Sequence, residues 1–294
     1  MADDKSDEPL GGFVPKRLPA YVGLALYALS ALIQWTLYFK HGLPRFMLVL
    51  TVGMTTMAMG FAFRLVLASN THSISLDIIM NLFIVLSPCA FLAFDHMLLA
   101  RLTAIFDDDV AERCLLVRRA RITRLFIWTD VLTFQLQGNG AGMAISSTPI
   151  AASIGKWMTI VGLVLQFLSF AFFTFVTLLF GYRLRRGFPA LWAPLQDHRC
   201  FTLFSTHPVN DWRILYWTLC LTCVSILLRS LFRVAEYAGG PTGYLSTHEG
   251  YFYLLDALPL WVAMSSFCAV WPTRFLHLNG RSKSELAEVG FLHM

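Results

Sequence analysis

Residues 227–271 read LLRSLFRVAEYAGGPTGYLSTHEGYFYLLDALPLWVAMSSFCAVW, and this stretch decides the fold. Two apolar runs, each fit to cross a bilayer, flank a polar turn, with Arg229, Arg233, Glu236, Glu249 and Asp256 inside them or at their mouth. An ionisable side chain at membrane depth costs about 2.5–3.5 kcal/mol on insertion scales, so such residues signal pairing or a polar pathway. Arg229, Arg233 and Glu236 recur at i, i+4 and i+7, one stripe of a helix that faces other helices and not lipid. Counted by helical rise, Arg229 and Asp256 fall at similar depth beneath the same face, roughly 8–11 Å down. An Arg229–Asp256 ion pair is the economical arrangement. Arg233 and Glu236 lie nearer the mouth, where Glu249 and His248 could complete a network, and Arg64 near the end of an earlier span is a further candidate.

Composition extends that reading to the whole chain. Of 294 residues, 56% are hydrophobic and 14% charged, against about 25% charged in soluble domains. A polar N-terminal tail (1–17), a transmembrane domain (18–276) and a C-terminal tail (277–294) account for the length. Seven apolar segments are marked at 18–39, 46–69, 75–100, 122–145, 155–182, 211–236 and 251–273, so the expected fold is all-α, a polytopic bundle of seven transmembrane helices. Basic residues alternate between connections: Arg113, Arg118, Arg119 and Arg121 in the third, Arg183, Arg185, Arg186 and Arg199 in the fifth, none from Tyr237 to Gly250. By the positive-inside rule the N-terminus lies outside and the C-terminus in the cytosol. The formal charge of +5 belongs to this topology signal and to anionic headgroups, and nucleic acid is not expected as a partner.

Other classes fall away on residue chemistry. No GxxxxGK[ST] phosphate loop is present, which excludes ATP hydrolysis by that route. The six cysteines are spread over spans and basic loops, so neither a disulfide framework nor a cofactor is expected. Asp95-His96 could relay protons or bind metal, but no second or third histidine stands at ligand spacing, and no metal site is assigned. Asp130 lies on the inner half of the fourth span. Gln137 follows it near the outer end, beside Gly138, Gly140 and Gly142, and Gln166 sits mid-way along the fifth span, where an amide serves a helix interface or a ligand. Pro88 marks a kink in the third span. The turn YAGGPTGYLSTHEGYFY could form a lid over an outward-facing cavity.

Arg229, Arg233, Glu236, Gly240, Gly243 and Glu249, followed by Tyr253, Asp256 and Pro259, resemble a signature of the fungal lipid-translocating exporter family, the RTA-like (resistance to aminocholesterol) proteins. GFAFR at Gly60–Arg64, the proline-bearing third span, FIWTDVLTFQLQGNGAG and GLVLQ are similar to further family motifs, and the resemblance covers roughly residues 20–275. Two positions depart from the pattern: His96 stands where the family tends to tyrosine, and Trp271-Pro272 replaces its usual His-Pro. The resemblance implies membrane proteins, in the plasma membrane or internal membranes, associated with export of sphingoid bases, resistance to sterol-like amphiphiles and, in some members, porphyrin handling. It implies no catalytic residues. The expected function is ATP-independent translocation of amphiphilic lipids in the plasma membrane, with lipids as the partners. The pathway or ligand contacts would come from Arg64, Asp130, Gln137, Gln166, Arg229, Arg233, Glu236, Glu249 and Asp256. A seven-helix receptor or regulator of lipid asymmetry is the alternative, and an intramembrane lipid hydrolase a third reading for which no nucleophile or metal set assembles.

Overall fold

The structure, a computed structural model, describes residues 17–68, 74–106, 108–116, 119–144, 148–192, 207–209, 211–240 and 243–276. The described residues are helical throughout their length apart from short connections. In order they form α1 (Arg17–Lys40), α2 (Arg45–Leu67), α3 (Ile74–Thr103), the short α4 (Asp108–Cys114), α5 (Arg119–Ala144), α6 (Pro149–Gly187) and α7 (Trp212–Gly239). The single turns α8 (Tyr244–Thr247) and α9 (Glu249–Tyr251) then lead into a π-helical segment, Phe252–Ala257, which runs on into α10 (Leu258–Ala269) and α11 (Pro272–Phe275).

Six helical stretches are long and apolar enough to cross a membrane: those of α1, α2, α3, α6 and α7, and the run Phe252–Ala269. The chain is an integral, multi-pass membrane protein. The remaining long helix, α5, has 26 residues but is too polar for that set. Arg121 and Arg124 lie in its first turns, and Asp130, Gln135, Gln137 and Asn139 interrupt its apolar residues. Helix α6 is longer than the expected segment 155–182, running for 39 residues, about 58 Å at 1.5 Å per residue. The expected seventh segment, 251–273, is not one continuous α-helix. It begins in a π-helical turn, breaks at Val270–Trp271 and restarts with Pro272 in the first turn of α11, where a missing N–H is harmless.

Packing follows from small residues placed opposite large ones. Helix α2 turns Met47, Leu50, Met54, Met57 and Phe61 inward, and Gly53 lets it lie directly on α3, since a Cβ there would come within 2.7 Å of the Phe91 ring. Ser87 donates to the carbonyl of Gly53 across that contact (2.9 Å) and meets Thr56 at 3.0 Å, so a polar tie sits beside Pro88 within an α3 that stays helical through the proline. Helix α5 lies along α6 in the same way: a Cβ on Gly155 would stand 2.6 Å from the Gly140 carbonyl oxygen. Helix α1 binds the end of the π-helical segment and α10 through a stripe at i, i+3 and i+7. Tyr27 donates to Ala257 O (2.8 Å), Ser30 accepts from Trp261 Nε1 (3.0 Å), and Gln34 donates to Met264 O (3.0 Å). Leu32, Trp128, Leu132, Trp157, Leu168, Trp217 and Val224 remain exposed on the outside, as lipid-facing positions require.

Candidate functional site

The π-helical turn Phe252–Ala257 presents Asp256 to α7. Asp256 is fully buried, and its two carboxylate oxygens are divided between two guanidiniums. Arg229 Nη1 pairs with Oδ1, and Arg233 Nη2 donates to Oδ2 at 2.6 Å. Arg233 also reaches along its own helix to Glu236 Oε2 (3.0 Å), and Arg229 spends a second donor on the carbonyl of Ile84 in α3 (3.3 Å). The i, i+4, i+7 stripe thus does face the bundle interior, and Arg229 and Asp256 meet there. The expectation for Arg233 is a network with Glu249 and His248; its ion-pair partners among the described residues are Glu236 and Asp256. A π-turn spaces its carbonyls one residue wider than an α-turn and is often found at functional sites, and here it sets the Asp256 carboxylate within reach of both arginines.

Aromatic rings wall this cluster. The Arg64 guanidinium, buried at the end of α2, sits 4.8 Å from the centre of the Phe252 ring and 5.6 Å from that of Tyr253, and Arg233 stands 5.3 Å from Phe252. Cation–π contacts of this kind strengthen when desolvated. Phe61 stacks on both Tyr27 and Tyr253. Both described carboxylates of this cluster, Asp256 and Glu236, are therefore already engaged by arginine, so a cationic headgroup would have to displace a guanidinium. The side chain of Glu249 lies outside the described residues. Between α7 and the π-turn, Gly240 adopts φ +74°, and Tyr244, His248 and Tyr251 cluster, with the two tyrosine hydroxyls 3.4 Å apart. The hydrogen bond shared with Tyr244 favours the protonated Tyr251 hydroxyl and holds it above the usual tyrosine range.

Of the other residues singled out from the sequence, Gln137 and Gln166 find each other. Gln137 Nε2 donates to Gln166 Oε1 at 2.8 Å across the α5–α6 interface. Asp130 turns to α3, where His96 Nδ1 lies 3.3 Å from its Oδ2. His96 is packed between Phe126 and Phe173, with ring centres 5.0 and 4.4 Å away. Cys89, two turns from His96 along the same face of α3, neighbours Gln166. The nine candidates thus divide into an Arg64–Arg229–Arg233–Glu236–Asp256 cluster, an amide bridge and a deeper Asp130 contact, with Glu249 not described. Sequence reading did not bring in Tyr27 or the aromatic wall, though the spacing of Tyr27, Ser30 and Gln34 in an apolar helix was a signal for the first. Among the described residues no three His, Cys, Asp or Glu side chains converge as metal ligands.

A family model described as RTA1 like protein matches residues 50–279, which include every element of this cluster. The chain belongs to the RTA1-like family. Among its relatives, Protein RTM1 of Saccharomyces cerevisiae is 28% identical over 208 residues, covering 71% of this chain and 61% of the relative. Protoporphyrin uptake protein 1 of the same yeast is 28% identical over 210 residues, 71% of this chain and 63% of the relative. A sphingoid long-chain base transporter, RSB1, from strain YJM789 is 27% identical over 183 residues, 54% of this chain and 47% of the relative. The chain therefore matches less than two thirds of the length of each of these relatives. No solved structure matches it significantly.

Proposed function

We propose that this RTA1-like protein is an ATP-independent translocator of amphiphilic lipids of the sphingoid-base or sterol-like class, and not an enzyme. In this reading α5 crosses the membrane with the other long helices, which gives seven spans, an outer N-terminus and a cytosolic C-terminus, and the plasma membrane is the site of action. The observation that carries the proposal is the Arg229–Asp256–Arg233–Glu236 cluster, its Arg229–Asp256 pair buried and Arg233 and Glu236 half-buried, held on a π-turn within a bundle of mostly apolar helices. Such a cluster is expensive to bury unless every charge is paired, and it stands where an amphiphile's head would leave its tail among apolar helix faces. Relatives named for sphingoid-base transport and protoporphyrin uptake support an amphiphilic cargo.

The chemistry would be exchange of partners. An ammonium head competes with Arg233 for Glu236 Oε2 and Asp256 Oδ2, while the Phe252 ring keeps the displaced guanidinium on a favourable surface. The test is flux of sphingosine across proteoliposomes holding the purified full chain. Flux that falls at least tenfold in Asp256→Asn, with the protein still folded, supports the reading. Saturable binding without any flux in the wild type would instead favour a receptor or a regulator of lipid asymmetry.

A further inference from the structure

Some distance along α3 from the arginine cluster lies a second set of buried ionisable groups that the proposed cargo chemistry does not use. Ile84, whose carbonyl Arg229 touches, and His96 are separated by 12 residues, about 18 Å of helix. At that second level are Asp95 and His96 from α3 and Asp130 from α5, none more than 5% exposed. His96 Nδ1 faces Asp130 Oδ2 at 3.3 Å. Neither oxygen of Asp95 takes a hydrogen bond among the described residues. On its α7 side stand Thr222, whose hydroxyl donates to Leu219 O (2.8 Å), and the thiol of Cys223.

The described neighbours supply no compensating charge. Helix α6 offers Phe170 and Phe173, α5 adds Phe126, and α7 adds Thr222 and Cys223. Arg101, further along α3, is exposed and lies on the Phe46 ring, while Arg229 belongs to the other level. Two carboxylates thus share this level with one imidazole, and no arginine or lysine forms an ion pair with any of the three among the described residues. With a neutral imidazole such a set carries two negative charges at membrane depth; one proton halves that and two neutralise it, and an uncompensated charge there is costly. Imidazole is the side chain suited to take up and pass on a proton near neutrality. Cys89 and Gln166 lie between the two levels, and α3 joins them, since its Ile84 carbonyl takes Arg229 and its His96 faces Asp130.

We propose that Asp95, His96 and Asp130 form a proton-binding site that couples amphiphile movement at the arginine cluster to proton movement in the opposite direction. The coupling part rests on the translocator reading. A proton enters the site from one aqueous face, resides on His96 or on one of the carboxylates, and leaves to the other face. One monovalent cationic amphiphile crosses the other way for each proton, so the exchange is electroneutral.

The experiment reconstitutes the full chain in phosphatidylcholine vesicles containing pyranine. The probe is N,N,N-trimethylsphingosine, whose fixed charge has no ammonium proton to carry. With the interior more acidic by about two pH units, one-for-one exchange drives inward accumulation towards a limit of about 100-fold, a decade per unit. The interior alkalinises in step. Asp130→Asn and His96→Gln are expected to lose both the gradient response and the proton movement, and Asp130→Glu to retain them. Wild-type translocation that ignores the gradient and moves no protons overturns the coupling and leaves the translocator standing. If the probe does not cross at all, the translocator reading fails and the site is judged alone. Infrared difference spectra of the purified protein between acid and neutral pH are expected to show a buried carboxyl band that Asp95→Asn or Asp130→Asn removes. A spectrum without such a band overturns the site.

Discussion

Asp256 is the residue on which most of the arrangement turns, because it is fully buried and answers two arginines at once. Removing one partner of a buried pair leaves the other charge uncompensated, which costs about 3–5 kcal/mol. Arg229→Gln and Asp256→Asn are each expected to lower the unfolding midpoint in detergent substantially. The double substitution is expected to cost less than the sum, by about 1–3 kcal/mol of coupling, and simple additivity in thermal melts would show that the two do not interact. The ion pair itself was legible in the sequence, because lone charges in two adjoining apolar runs at matched depth leave few other partners. The second hold of Arg233 on Asp256 was not, since it depends on a π-turn that shifts the phase of the carboxylate, and no spacing rule reports such a turn. The His96–Asp130 contact was hidden for a different reason: it requires knowing that α3 lies against α5, and helix adjacency is not written in hydropathy.

At the scale of the element, the pairing of α5 with α6 depends on glycine faces. Gly155 and Gly140 leave no room for a side chain, whereas Gly138 has nothing within 4 Å of an added Cβ. Gly155→Val is expected to force the helices apart and cost about 1–3 kcal/mol, while Gly138→Ala removes backbone freedom at no steric cost and is expected to stabilise by about 0.5–1 kcal/mol. Equal effects in detergent melts would contradict the packing described. The Gln137–Gln166 bridge joins the same helices, and a pair of this type is worth about 0.6 kcal/mol in a membrane bundle. Gln137→Leu alone strands its partner and is expected to destabilise by about 1–3 kcal/mol, and Gln137→Leu with Gln166→Leu to recover most of the loss. Helix boundaries were legible from apolar length to within a few residues for α1 and α2. The overrun of α6 to 39 residues was not, because at its far end Arg183, Arg185 and Arg186 read as a loop by polarity yet continue the helix beyond the apolar slab.

For the molecule as a whole, the open physical choice is whether α5 crosses. Its polar residues do not forbid it: Asp130 and Gln137 are turned inward onto His96 and Gln166, so lipid meets Trp128, Val131 and Leu132 instead. A helix whose polar groups are satisfied by neighbours can span despite low mean hydropathy. Parity then decides the topology. An odd number of crossings sets the two termini on opposite faces, and an even number sets them on the same face. Basic residues are concentrated at Arg113 and at Arg183–Arg186, with none among the described residues between Tyr237 and Tyr251, so the proposed orientation puts the first two places in the cytosol and the last outside. An impermeant maleimide applied to intact cells is expected to label Gly250→Cys at once and Arg186→Cys only after permeabilisation. An epitope on the N-terminus is expected to be reached from outside while one on the C-terminus is not. Both termini on one face would mean that α5 lies in the bundle without traversing it, and would move Asp130 and His96 out of any path between the two aqueous sides.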